Sequence, residues 1–120
     1  MLTTLLDWNL EVNEVDSTNE IEACRRIAAA WAPVLHALAN EERLLIVLWL
    51  AGSECTVREL EEVTGMRQSL VSYHLQELRK AGLVSASAVG RSNRYRLSHA
   101  DLDQLATLIG NLAPGMHLLR

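Results

Sequence analysis

The 120-residue chain carries only two cysteines, Cys24 and Cys55. Two thiols cannot build the disulfide framework that staples many small secreted domains, and they fit a reducing compartment. Long apolar runs are also missing; none approaches the ~18 residues that would read as a membrane span. The opening Met1-Leu2-Thr3-Thr4-Leu5-Leu6-Asp7 lacks the basic stretch of a secretory leader, so a cytoplasmic protein is expected. Repeats and low-complexity tracts are absent. So are a Ser–His–Asp set, a glycine-rich phosphate loop and a metal-ligand cluster at usable spacing, so neither an enzyme nor a resident metal or cofactor is expected.

What is present is the composition of a folded protein, 49% hydrophobic and 22% charged. This length suits one domain around one core. Leu2, Leu5, Leu6, Leu10, Val12 and Val15 follow neither a helical nor a strand period. Residues 1–15 are therefore read as an N-terminal arm that packs on a partner subunit, and 16–120 as a single domain.

Charge of one sign dominates each part of the chain. The formal net charge is −4. Residues 1–64 hold twelve acids against four bases, whereas 65–96 hold six bases (Arg67, Arg79, Lys80, Arg91, Arg94, Arg96) and one acid, Glu77. A basic segment inside an acidic protein is what a localised phosphate-binding surface requires.

Punctuation along the chain marks the elements. Asp16-Ser17-Thr18-Asn19-Glu20 offers N-caps for a helix in which Ile21, Cys24, Ala28 and Trp31 form one apolar stripe. Pro33 is expected to end it, with a short second helix over 34–39. Asn40 caps the next helix, and its Leu44, Leu45, Val47, Leu48 and Leu50 predict a mostly buried element stopped by Gly52. Thr56-Val57-Arg58-Glu59 is a capping box, with Cys55 and Leu60 placed for a hydrophobic staple, and this helix ends at Gly65. An amphipathic helix over 67–81 follows, closed by Gly82. Leu83–Val89 and Asn93–Leu97 are β-prone and joined by Gly90-Arg91-Ser92, a hairpin whose tip carries Arg91 and Arg94. A last helix over about 99–112 spaces Leu102, Leu105, Ile109 and Leu112 as a dimer seam. The expected fold is mainly α with a small β-hairpin: a winged helix-turn-helix of about five to six helices plus a two-stranded wing, its reading head within 56–96.

On a wheel at ~100° per residue, Val71, Leu75 and Leu78 share one side of the 67–81 helix, flanked by Leu70 and His74. Ser69, Ser72, Tyr73, Gln76 and Lys80 take the other. Short polar side chains at the leading end let a helix approach the floor of a major groove, and Gln68 and Ser69 stand where base edges would be met. Arg79 and Lys80 at the trailing end suit phosphate, which positions without specifying sequence. The wing over 85–96 follows within reach of a minor groove.

Residues 34–97 resemble the ArsR/SmtB family of prokaryotic winged-helix repressors. The resemblance is carried in order by Leu38-Ala39-Asn40-Glu41-Glu42-Arg43-Leu44-Leu45-Ile46, Thr56-Val57-Arg58-Glu59-Leu60, Gln68-Ser69-Leu70-Val71-Ser72-Tyr73-His74-Leu75, Leu78-Arg79-Lys80-Ala81-Gly82-Leu83-Val84 and Gly90-Arg91 with Tyr95-Arg96-Leu97. It implies homodimers on palindromic DNA operators, joined by the first helix (Ile21, Cys24, Ala28, Trp31) and the last (Leu102, Leu105, Ile109, Leu112). Gln68, Ser69, Ser72 and Tyr73 would be the principal base-reading positions, and His74 would support the helix from behind. Arg67 departs from the small cap usual there, which would exchange a cap for a phosphate contact.

The same resemblance bears on sensing. Where many members place a Cys-x-Cys-like metal site, this chain has Thr56 and Arg58, which offer no thiolate. A second family site on the last helix would find His99 and Asp101 at one end, but Leu112 and Gly115 at the other. Cys24 on its apolar stripe reads as a small buried hydrophobe, and Cys55, already accounted for by the staple, stands before a helix N-terminus where a thiol can be made reactive. Two inert cysteines, or a thiol or persulfide switch between them, are both open. His36 reads as a structural histidine. A winged-helix protein-interaction module that binds no DNA is the alternative from another class, resting on the acidic 1–64 segment.

Overall fold

A computed structural model describes residues 17–112; the arm expected over 1–15 lies outside the described residues. Five helices and three strands occur among them: α1 (Ser17–Leu38), α2 (Glu41–Leu50), β1 (Cys55–Thr56), α3 (Val57–Thr64), α4 (Gln68–Lys80), β2 (Val84–Val89), β3 (Ser92–Leu97) and α5 (His99–Asn111). The described residues divide into two compact units, one of residues 33–99 and one of 17–32 with 100–112.

Within the 33–99 unit, the core is made by Ile46, Val47 and Leu50 of α2, Leu60 of α3, Val71, Leu75 and Leu78 of α4, and Leu83, Val84 and Leu97 of the hairpin base. The helix-turn-helix forms for local reasons. Thr56 Oγ1 accepts from the Glu59 N–H at 3.1 Å, and Glu59 Oε1 accepts from the Thr56 N–H at 2.9 Å. This reciprocal box starts α3, with Cys55 and Leu60 both buried beside it. Gly65 ends α3 at φ 75, and its N–H reaches the Glu61 carbonyl. Thr64 Oγ1 then accepts from the Met66 N–H at 3.2 Å, which holds the turn into α4.

At the other end of α4 the Leu83 N–H bonds the Leu78 carbonyl and the Gly82 N–H that of Arg79. That is a Schellman closure, with the fully buried Leu78 and Leu83 as its apolar clasp. It turns the chain into β2. Strands β2 and β3 pair antiparallel from Val84↔Leu97 to Val89↔Ser92, leaving a two-residue loop, Gly90-Arg91. Only Gly90 has positive φ there (63°), as a II′ turn requires at its first central position.

Several expectations are corrected. The wing is a three-stranded sheet, not two-stranded, ordered β1-β3-β2, because Cys55↔Tyr95 and Thr56↔Arg94 also pair. Ser92 belongs to β3 rather than to the turn, and Arg94 sits within the central strand rather than at the tip. Pro33 does not divide the first helix. Its ring faces solvent, and buried Trp31 and Ala37 on either side offset the lost N–H donor. In α2 the inward face is Arg43, Ile46, Val47 and Leu50, at i, i+3, i+4 and i+7. Leu44, Leu45 and Leu48 are therefore exposed, since a helix has more apolar residues here than it has inward positions.

In the other unit, Ala23 and Trp31 of α1 and Leu105 and Leu108 of α5 are buried. Ile21, Cys24 and Ala28 are exposed, so the expected stripe is turned away from the buried side until Trp31. The alanine-rich α1 presents apolar side chains on more than one face, and spacing alone does not say which is buried.

The Gly65 turn predicts its own test. A Cβ added there meets nothing within 4 Å, so only the left-handed backbone resists substitution. Gly65→Ala should lower unfolding stability by about 1–2 kcal/mol in chemical denaturation.

Candidate nucleic-acid interface

Helix α4 separates its side chains by face as its sequence predicts. Val71, His74, Leu75 and Leu78 are buried, whereas Arg67, Gln68, Ser69, Ser72, Tyr73, Gln76, Arg79 and Lys80 are all exposed. Arg67 occupies the N-cap position with extended backbone and makes no side-chain cap, which leaves its guanidinium in solvent. The leading-end N–H groups of α4 are thus not capped by the Arg67 side chain, and the exposed small hydroxyl of Ser69 lies in the same first turn.

The rear attachment of α4 is polar as well as apolar. His74 is 3% exposed, with Nε2 3.0 Å from Glu42 Oε1 and Nδ1 3.3 Å from Arg43 Nη1. A guanidinium only donates and a carboxylate only accepts, so both contacts are satisfied by the tautomer with its proton on Nε2. Arg43 in turn donates from Nε to the Ala37 carbonyl at 2.6 Å, near the C-terminus of α1. Three helices are thus joined through one imidazole and one guanidinium. The Tyr73 ring lies beside that of His74, centroids 5.4 Å apart. His74 was legible as a rear support from its wheel position. Arg43 was not, because a cation among leucines reads as a solvated residue.

Of the two arginines expected at the wing tip, the structure leaves only Arg91 at the turn and exposed. Arg94 Nη2 donates to the Glu54 carbonyl at 3.1 Å and lies 3.6 Å from Glu59 Oε1, with its Nε 3.9 Å from Glu54 Oε1. These contacts clamp β3 to the start of α3. A cleft of about 540 Å³ brings Gln68 and Arg91 to the same place, with Asn93 and Arg58 on its walls. Arg58 was not singled out as a DNA contact from sequence. Its signal was a cation in the first turn of a helix, where the dipole disfavours it, although Glu62 Oε1 lies 3.6 Å from its Nε.

Among the described residues no three His, Cys, Asp or Glu side chains come together as a metal site. Cys24 is exposed, against its reading as a buried hydrophobe, whereas Cys55 is buried, as its place in the staple requires. Pairing with β3 draws Cys55 inward, and its Sγ reaches the Ser53 carbonyl at 3.6 Å. His36 is exposed rather than structural.

The fold and these faces have counterparts in known proteins. The family model "Bacterial regulatory protein, arsR family" matches residues 40–86. The biofilm growth-associated repressor of Agrobacterium fabrum is 33% identical over 88% of this chain and 85% of its own length. The chain belongs to the ArsR/SmtB family. The transcriptional regulator NmtR of Mycobacterium tuberculosis is 42% identical over 65% of this chain and 65% of its own, so the match spans less than two thirds of that relative. Among solved structures, the homodimeric winged helix-turn-helix DNA-binding domain Mb0332 of Mycobacterium bovis aligns with a TM-score of 0.63, at 34% identity, over 75% of this chain and 83% of that one.

The capping box gives this ArsR/SmtB chain a pH signature. The Thr56 N–H, then the Thr56 hydroxyl, and to a smaller extent the Arg94 charge hold the Glu59 carboxyl below the usual carboxylate range, despite a small opposing effect of burial. A depressed folded pKa stabilises above the unfolded value and is lost as pH falls through the folded one. Acid titration of unfolding should therefore show a steeper loss below the ordinary glutamate range in the native sequence than in Glu59→Gln, with the two curves becoming parallel at neutral pH.

Proposed function

We propose that this protein is a homodimeric transcriptional regulator, a repressor acting in the cytoplasm, that binds a palindromic DNA operator with α4 in the major groove. The observation that carries this reading is the outward face of α4, where small hydroxyls, an amide and a phenol lead and two cations trail. Gln68, Ser69, Ser72 and Tyr73 meet base edges. Arg67, Gln76, Arg79 and Lys80 hold the helix on phosphates. From the wing turn Arg91 reaches the backbone beside the minor groove, with Arg58 facing it across the cleft. Arg94, tied to Glu54 and Glu59, keeps the wing in place rather than touching DNA.

Dimerisation is supported by the apolar groups left open on α1 and α5. Ile21, Ile109 and Leu112 are 49%, 53% and 66% exposed, and Cys24 and Ala28 are exposed with them. A second copy would cover these side chains, whereas Trp31 and Leu105 are already buried and Leu102 half-buried. The homodimeric Mb0332 domain supports dimerisation by analogy.

An operator selected from random duplexes should be retarded as a dimer complex, with affinity that falls as a power of salt concentration. Substituting Gln68 and Ser72 by alanine should cost roughly 1–3 kcal/mol per base contact and narrow the gap between operator and random DNA. Arg91→Ala should weaken both alike and flatten the salt slope. Unchanged operator binding in the Gln68/Ser72 double variant would remove the base-reading assignment.

A further inference from the structure

Arg43 is a buried cation, 9% exposed, that touches no carboxylate among the described residues. Its Nε and Nη1 meet a carbonyl and a ring nitrogen, which are dipoles rather than charges. Glu42 lies one imidazole away, on the far nitrogen of His74. Among the described residues Nη2 has no partner, yet it is not sealed from solvent. Buried charges are normally paired, because desolvation without a counter-charge is costly.

Arg43 also lines a cleft of about 220 Å³ together with Pro33, Ala37 and Ala81, and with the exposed His36 and Lys80 and half-buried Glu77. Lys80 Nζ and Glu77 Oε2 are 3.2 Å apart and neutralise each other. The Arg43 charge remains, with His36 as a further donor in the lining. We propose that this cleft is a binding site for a small oxyanion of the phosphate or sulfate class, held by Nη2 of Arg43 and assisted by His36 and Lys80. The N–H groups of Nη2 are directional donors, which suit an oxyanion oxygen better than a halide. Because the same guanidinium holds His74, the anion would sit one residue behind the recognition helix. The site stands whether or not α4 reads DNA. Its oxyanion has two possible sources, a free anion or a phosphodiester of bound DNA.

The test is a titration of the full chain, without DNA, with inorganic phosphate at constant ionic strength, followed by NMR of the Arg43 side chain and the His36, Ala37 and Ala81 amides. Sulfate and chloride serve as comparisons. Saturable shifts confined to this cleft are expected for phosphate and sulfate and not for chloride. His36→Glu places a carboxylate at an exposed lining position and should weaken phosphate binding roughly tenfold with little change in melting temperature; Lys80→Gln should weaken it less. Absence of saturation, an equal response to chloride, or native phosphate affinity in His36→Glu would overturn the proposal. Repeating the titration with a random-sequence duplex assigns the source. Displacement of phosphate by the duplex identifies a DNA phosphodiester as the occupant, and co-binding identifies a free anion.

Discussion

The imidazole of His74 stands between a carboxylate and a guanidinium carried by adjacent residues of α2, and the presentation of α4 depends on that arrangement. Apolar packing of Val71, Leu75 and Leu78 holds the helix against the core, but dispersion is tolerant of small rotations. Hydrogen bonds at 3.0 and 3.3 Å from the two nitrogens of one ring are directional and fix which side faces out. Removing either partner would leave a buried group unsatisfied, so the interaction constrains orientation as well as stability. From it follow the exposure of Ser69, Ser72 and Tyr73, the seating of the α1 C-terminus on Arg43, and the cleft behind the helix.

Segregation of charge complements this geometry. The acids of α2 and α3 are used internally or locally: Glu42 on His74, Glu59 in its capping box and near Arg94, and Glu62 3.6 Å from Arg58. The cations of α4 and the wing turn are left largely to solvent. Exposed pairs such as Lys80–Glu77 contribute little to stability, so they can be exchanged for phosphate without unsettling the fold. An overall acidic protein thereby keeps one basic face available to a polyanion.

Local signals were the most legible in the sequence. The Thr56–Glu59 box, the Gly65 turn and the Gly82 closure each rest on neighbouring residues, and each formed where its residues required. The face of α4 was legible for the same reason, since a strict 3.6-residue period separates its two sides. Features that depend on distant partners were not. The third strand exists only because Cys55 and Thr56 meet Tyr95 and Arg94. Arg94 looked like a free wing-tip cation until its contacts with Glu54 and Glu59 were visible. In α2 and α1, apolar residues outnumber inward positions, and pattern alone could not choose among them. The burial of Arg43 broke a reliable composition rule through a carbonyl six residues upstream and an imidazole on another helix.

The central claim is that the outward face of α4 and the Arg91 turn form one DNA-reading surface. Chemical-shift mapping of the isotope-labelled protein against its selected operator tests this most directly. Perturbations should concentrate on Gln68, Ser69, Ser72, Tyr73 and Arg91, leaving the exposed Leu44, Leu45 and Leu48 of α2 undisturbed. Perturbations centred on α2 with α4 silent, or none at low salt, would contradict the account.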